Sequence, residues 1–418
     1  MRRVAASVIV TILSAVTGGC AASIIRAPVP SAFADEVAEL PNIKGGRFWA
    51  DETPTDIREE YRRKLPNLKQ LGASAPVVGG RIQIEILALS GGGPDGAFGA
   101  GVLTGWTHRG DRPEFELVTG VSAGALIAPF AFLGSEYDAQ LKEIWTQYET
   151  SQLVEVQVLP GLLGGDSLVD TAPIRALMAK YINAEFLNRI AAEYLRGRVL
   201  TIGTTNLDAK RPVVWNMGEI ALSGSPEAVQ LFRDVIMASA SIPGLFPPVN
   251  IKVRADGKYY DEMHVDGGVT RQIYVTPVNL PFTSFDQLYP KPPNRKLYLV
   301  QNGKLTPDYS PVEQQTIPIA STSISTLLLN QNKGDLYRIY RMALDAKTDF
   351  NLVAVPDQFP KRTEQGLNKT YQVALFEEGY KLGVNGGPWL KRPPDVPADA
   401  ISAPPAAKRA AAAATAKP

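Results

Sequence analysis

Phe115-Glu116-Leu117-Val118-Thr119-Gly120-Val121-Ser122-Ala123-Gly124-Ala125-Leu126-Ile127-Ala128 is the stretch whose reading decides the fold. Residues 115–119 form a short strand-like run, residues 125–133 an apolar run of helical length, and Gly120-x-Ser122-x-Gly124 stands between them. A strand that turns abruptly into a helix through this pattern is the signature of a nucleophile elbow. The flanking glycines let the chain turn where Cβ atoms would collide, and the serine hydroxyl is left at the amino end of the following helix. The expectation is a nucleophile at Ser122, with Gly120 and Gly124 making the turn possible.

Upstream lies a second glycine-rich turn, Gly91-Gly92-Gly93-Pro94-Asp95-Gly96, between strand-like residues 84–89 and helix-like residues 96–103. Its G-x-G-x-x-G spacing also suits a dinucleotide, but that use needs an acid closing the second strand, about 20 residues on. Glu116 lies near that distance and opens its strand instead. For a hydrolase the same loop offers backbone N–H groups, uncovered by side chains, to the negative oxygen of a tetrahedral intermediate, each donor contributing roughly 3 kcal/mol. Gly91, Gly92 and Gly93 are therefore expected to form an oxyanion hole, with Gly96 supporting the turn and Asp95 capping the helix.

A serine hydroxyl needs a base. The chain has two histidines, His108 and His264, and only His264 follows Ser122. Two residues later, Asp266-Gly267-Gly268 closes the strand-like run 258–265. By the two-residue period of a strand, His264 and Asp266 share a face, so both stand near one site.

The two glycine-rich turns, Asp266-Gly267-Gly268 and Ala238-Ser239-Ala240-Ser241-Ile242-Pro243-Gly244-Leu245-Phe246-Pro247-Pro248-Val249 together resemble the four blocks of the patatin-like phospholipases. The resemblance implies a three-layer α/β/α fold with a mostly parallel central sheet, and a Ser-Asp dyad that works without histidine. In it Ser122 is the nucleophile, Asp266 the base, and the backbone of Gly91, Gly92 and Gly93 the oxyanion hole, while Gly267 and Gly268 leave room beside the acid. It implies cleavage of lipid acyl esters with neither cofactor nor metal. His264, with no counterpart there, becomes a supporting or structural residue. Where many members carry a basic residue after the triple glycine, this chain has Pro94-Asp95; neutral glycerides and lysolipids then stand beside phospholipids as substrates. Two other readings are an esterase pairing Ser122 with His264 and a catalytically silent lipid-binding envelope protein on the same scaffold. Apolar residues 242–249 read as core packing near the nucleophile, with an acyl channel as their other use.

The rest of the chain supplies the setting. Strand-like residues 198–205, helix-like 227–237, strand-like 296–300 and a long helix around 333–344 alternate as in a parallel sheet covered on both faces, with reactive loops at the strands' carboxyl ends. Met1-Arg2-Arg3, apolar residues 4–16 and Thr17-Gly18-Gly19 before Cys20, the chain's single cysteine, resemble a bacterial lipoprotein signal. The expected organisation is a signal over 1–19, a lead-in over 20–80 with a charged run at 59–64, the hydrolase domain over 81–391 and an Ala/Pro/Lys tail over 392–418 that is too poor in large apolar residues to fold. Lipid attachment at Cys20 would hold the protein to a membrane. Ala21-Ala22-Ser23, without aspartate, resembles sorting to the outer membrane, facing the periplasm. With 43 basic and 42 acidic residues and no basic stripe, nucleic acid is not an expected partner. One cysteine and two histidines make no zinc set, and no carboxylate array has calcium-loop spacing.

Overall fold

The computed structural model describes residues 26–34, 38–52, 76–148, 155–156, 169–276, 280–360 and 369–397. The signal segment with Cys20, the charged run at 59–64 and residues 398–418 of the tail lie outside the described residues. Strands β1 (Arg47–Trp49) and β2 (Val77–Val78) precede β3 (Arg81–Leu89), followed by α1 (Gly96–Arg109), β4 (Leu117–Val121), α2 (Ala123–Leu133) and α3 (Asp138–Gln147). A small ladder, β5 (Glu155–Val156) with β6 (Val169–Asp170), leads to α4 (Ala172–Tyr181) and α5 (Ala184–Leu195). Next come β7 (Val199–Asn206), β8 (Arg211–Asn216), α6 (Met217–Leu222), α7 (Ala228–Ser239) and the hairpin β9 (Val249–Ala255) and β10 (Lys258–Asp266). The chain closes with β11 (Asn294–Gln301), α8 (Thr316–Asp345), β12 (Asp349–Ala354) and α9 (Lys369–Val384).

Five parallel strands in the order β12-β11-β3-β4-β7 form the centre of a ten-stranded sheet. Antiparallel β8 and β1 extend it beyond β7, and the β9–β10 hairpin also pairs with β7. Burial follows the role of each strand. Residues 86–89 of β3 are buried without a break, as a strand covered on both faces requires. In β9 the sequence Val-Asn-Ile-Lys-Val-Arg-Ala alternates buried and exposed, the pattern of a strand with one wet face.

The two faces of the sheet bury different helices. Ile86 and Ala88 of β3 and Leu297 and Leu299 of β11 pack with Leu336, Ile339 and Ala343 of α8. Their alternates Leu87, Leu89, Tyr298 and Val300 join the larger cluster formed with α1, α2, α7 and α9. This is the three-layer arrangement, with its parallel centre, that the strand-helix alternation implies. Strand β4 starts two residues later than the apolar pattern suggested; just before it the Glu116 backbone bonds to Glu85 on one side and Val199 on the other, while its side chain accepts the Glu85 amide. Helix α8 begins well before the expected long helix.

Residues 38–52 fall in the segment expected to be a lead-in, yet they join the body. Arg47 of β1 is buried beneath the sheet edge, where it grips the Glu262 carboxylate through both terminal nitrogens, donates twice to the Ala38 carbonyl and lies over the Trp215 ring. Burial works to raise the Glu262 pKa, but the Arg47 guanidinium and His264 outweigh it and hold the carboxyl at about 2. Only three residues long and opened by a charge, this strand was concealed because its arginine is buried only by virtue of a partner more than two hundred residues away.

Helices α1 and α9 approach closely through two i, i+4 glycine pairs. A Cβ on Gly101 or Gly105 would overlap the carbonyl oxygens of Phe376 and Tyr380, and one on Gly379 or Gly383 those of Phe98 and Val102. Gly105→Ala is expected to lower stability by about 1–3 kcal/mol, since backbone must move to admit the methyl group. Gly334→Ala, at an exposed α8 position where a Cβ meets nothing within 4 Å, is expected to raise it by about 0.5–1 kcal/mol. Urea unfolding of both variants measures the contrast.

Candidate active site

The glycine-rich turn and the G-x-S-x-G turn leave the carboxyl ends of neighbouring parallel strands, β3 and β4, where Leu89 lies opposite Gly120. Ser122 adopts φ 54° and ψ −121°, a left-handed conformation in a residue with a side chain. Such a conformation costs of order 1–3 kcal/mol and persists only where its surroundings over-determine it. Here they do. A Cβ on Gly120 would strike the Gly124 carbonyl, and one on Gly124 the carbonyls of Leu89 and Ser90. The Gly124 amide donates to the Ser90 carbonyl at 3.1 Å, tying the two turns together.

Residues 239–241 brace the turn from behind. The Ser122 N–H donates to Ser239 Oγ at 3.0 Å, and the Ser239 hydroxyl donates to the Gly203 carbonyl of β7 at 2.6 Å. The Ser241 carbonyl accepts the Asp266 N–H at 2.8 Å. Thus one short segment at the end of α7 holds the backbone of both Ser122 and Asp266. The sequence reading took residues 239–241 only as part of a block shared with the family it resembles and missed this role; two serines at the end of an amphipathic helix were the available signal.

Asp266 ends β10 and is buried, its carboxylate accepting the Gly268 amide at 2.7 Å. Burial raises its pKa to about 6 against the opposing hydrogen-bonding influence of the Ser122 hydroxyl and the Gly268 amide. Gly267 is required by approach: a Cβ there would overlap the Gly203 carbonyl.

The three loop glycines are not equivalent. The Gly91 amide donates to the Gln272 carbonyl at 2.9 Å, so it is already engaged. A Cβ on Gly91 would stand 3.2 Å from the Ser122 Cβ and 2.5 Å from Gln272 Oε1, so Gly91 serves by leaving space beside the hydroxyl. Among the described residues, no backbone acceptor takes the Gly92 or Gly93 amide. Buried Asn302, just past β11, holds the loop from below. Its side chain donates to the Ser90 carbonyl at 2.7 Å and accepts the Gly99 amide at 3.1 Å, and its own N–H donates to Ser90 Oγ at 2.8 Å. Its place at the carboxyl end of a parallel strand was the clue the sequence offered.

Two expectations change. Asp95 does occupy the position before α1, but its side chain makes no capping bond and instead accepts the Tyr371 hydroxyl of α9 at 3.0 Å. The acid beside the loop is thereby drawn into the α1–α9 contact. His264, expected near the same site, has both ring nitrogens engaged elsewhere, with Thr204 Oγ1 at 3.0 Å and Glu262 Oε2 at 3.0 Å. Its ring stands edge-on to Trp215, fully buried, and burial lowers its pKa. Strand pleating puts His264 and Asp266 on one face, but the Arg47–Glu262 pair claims the imidazole. His108 bonds the Tyr380 hydroxyl on the helical layer.

Because its folded pKa of about 6 exceeds the ordinary 3.8, Asp266 holds its proton longer in the native state, so it lowers stability as pH rises from about 4 to 6. Asp266→Asn is expected to gain about 1–3 kcal/mol at pH 8 and little at pH 4, read by thermal unfolding across that range. Ser239→Ala removes a donor and an acceptor at one buried point and is expected to cost about 1–3 kcal/mol, measured the same way.

Residues 87–278 match the family model of the patatin-like phospholipases, a span that contains the glycine loop, Ser122, the brace at 239–241 and Asp266. Among solved structures, VipD from Legionella pneumophila is similar, at 11% identity and a TM-score of 0.35, with 72% of this chain and 67% of that chain covered. No curated protein matches the chain. Residues 87–278 are thus similar to the patatin-like phospholipases, and they lie on a mixed sheet whose central strands are parallel.

Proposed function

We propose that the protein is a serine hydrolase of lipid acyl esters that uses Ser122 as nucleophile and Asp266 as base. The observation that carries this reading is a serine held at positive φ on a strand-to-helix turn with its hydroxyl interacting with a buried carboxylate. The match to the patatin-like phospholipases supports the lipid ester as substrate.

Asp266 accepts the Ser122 proton as Oγ attacks the ester carbonyl. The amides of Gly92 and Gly93 face the resulting oxyanion, and Gly91 keeps the space clear. Collapse of the tetrahedral intermediate expels the alcohol, which leaves with the proton held by Asp266, and an acyl-enzyme remains. Water then attacks that ester, again giving its proton to Asp266, and the fatty acid is released as Ser122 recovers its hydrogen. The engaged ring of His264 favours this pairing over one with histidine.

The segment preceding Cys20 supports lipid attachment at that residue and a place in the bacterial envelope, and Ala21-Ala22-Ser23 after it supports the outer membrane, facing the periplasm. Cys20→Ser is then expected to move the protein from the membrane fraction to the soluble one.

A fluorophosphonate probe is expected to label Ser122 in the wild type and not in Ser122→Ala. Asp266→Ala should lower kcat about 10³-fold or more, while His264→Ala retains turnover at temperatures below its reduced melting point. Since Asp266 must be ionised to act, kcat/KM should rise with pH to a plateau, with half its maximum near pH 6. An unlabelled Ser122 in a folded protein, with lipid present, would overturn the reading.

A further inference from the structure

We infer that the amino-terminal half of α8 is a lipid-surface helix, which lays the Ser122 cleft on a bilayer. The inference deepens the hydrolase reading, on which its statement about substrate rests, by making aggregated lipid the form in which substrate arrives.

The argument begins with length. Helix α8 connects parallel strands β11 and β12 and must return past a strand of 8 residues, about 26 Å, a distance that about 17 helical residues cover. It has 30. The surplus of about 13 residues overhangs the carboxyl end of the sheet, the end where Ser122 sits. Burial agrees, because residues 319–327 are all exposed while Leu336, Ile339 and Ala343 further along pack on the sheet. The overhang springs from the rim of the cleft. Gln331 donates to the Thr270 carbonyl, and buried Asp335 accepts the Gln272 amide, within six residues of Asp266.

Composition argues for the occupant. Residues 316–332 carry no charge. Ala320, Ile324 and Leu327 align on one side, and Ser321, Thr322, Ser325 and Thr326, with Ile319 among them, occupy the other. Isoleucine, serine and threonine are each weaker helix formers than alanine by several tenths of a kcal/mol, roughly, and an unpacked helix made of them is marginal in water. A partner helix would call for charged residues flanking the apolar seam, and an anionic surface for lysines and arginines. This segment has neither. An uncharged amphipathic helix is matched by the interior edge of a zwitterionic bilayer, where burying apolar side chains alone provides the affinity. Val269, next to the Thr270 that Gln331 of α8 bonds, is also exposed. No helix among the described residues is long and apolar enough to cross a membrane.

The test uses the full chain carrying Cys20→Ser, which leaves no native cysteine, with Leu327→Cys or Ile324→Cys labelled by an environment-sensitive fluorophore. On adding phosphatidylcholine vesicles, emission from either position should shift to the blue and rise several-fold, independently of salt. The same label at Leu195→Cys, an exposed site at the opposite end of the sheet, should not respond. The double substitution Ile324→Glu, Leu327→Glu should cut hydrolysis of a vesicle-borne lipid ester at least tenfold and spare a water-soluble short-chain ester. A label at 327 that ignores vesicles, or that shifts without lipid as protein concentration rises, overturns the inference, the latter in favour of a second copy of the chain. So does unchanged hydrolysis of vesicle lipid by the double variant. If the label responds while neither ester is turned over by the wild type, the hydrolase reading fails and the surface helix stands.

Discussion

Everything at the site depends on how closely the backbone approaches itself where β3 and β4 end. The Gly124 amide reaches the Ser90 carbonyl only because neither Gly120 nor Gly124 has a side chain, and that contact forces Ser122 to positive φ. The strain is local, but the forces that hold it come from distant segments. Ser239 anchors the Ser122 amide to β7, Asn302 fixes the glycine loop from β11, and the Gln272 carbonyl takes the Gly91 amide. Three carboxyl-end loops and the end of α7 therefore converge on one hydroxyl. A parallel sheet brings such loops together as a consequence of its topology.

Placing Asp266 in this setting works against stability. A buried carboxyl whose pKa is raised to about 6 costs more to ionise than an exposed one, yet the proposed chemistry needs the ionised form. Elsewhere on the same strand the opposite arrangement holds. Glu262, four residues earlier, is also buried, but Arg47 keeps it ionised down to about pH 2. The structural carboxylate has a cation and the proposed base has only dipoles, Gly268 N–H and a serine hydroxyl. That difference leaves Asp266 free to take and return a proton.

The strand containing both acids also shows how far sequence reading reaches. Asp266-Gly267-Gly268 was recognisable because its glycines are demanded by nearby backbone, a requirement that leaves a mark in composition. His264 was placed near Ser122 by the pleat alone, and the pleat is correct. What it lacks is the direction of the side chain, which Glu262, Thr204 and Trp215 settle from three different segments. Ser239, Asn302 and Arg47 were passed over for the same reason. A serine, an asparagine or an arginine announces nothing until its partner, dozens to hundreds of residues away, is known.

The sequence by itself determined the strand-helix alternation, the parallel centre of the sheet and the two glycine-rich turns, because periodicity and backbone sterics act within a few neighbours. Tertiary structure alone decided that the Gly91 amide goes to Gln272, that the His264 ring goes to Glu262 and Thr204, that β1 completes an antiparallel edge and that α8 overruns the sheet. Each of those depends on a distance between segments that the chain order leaves open, and closing that distance is what folding does.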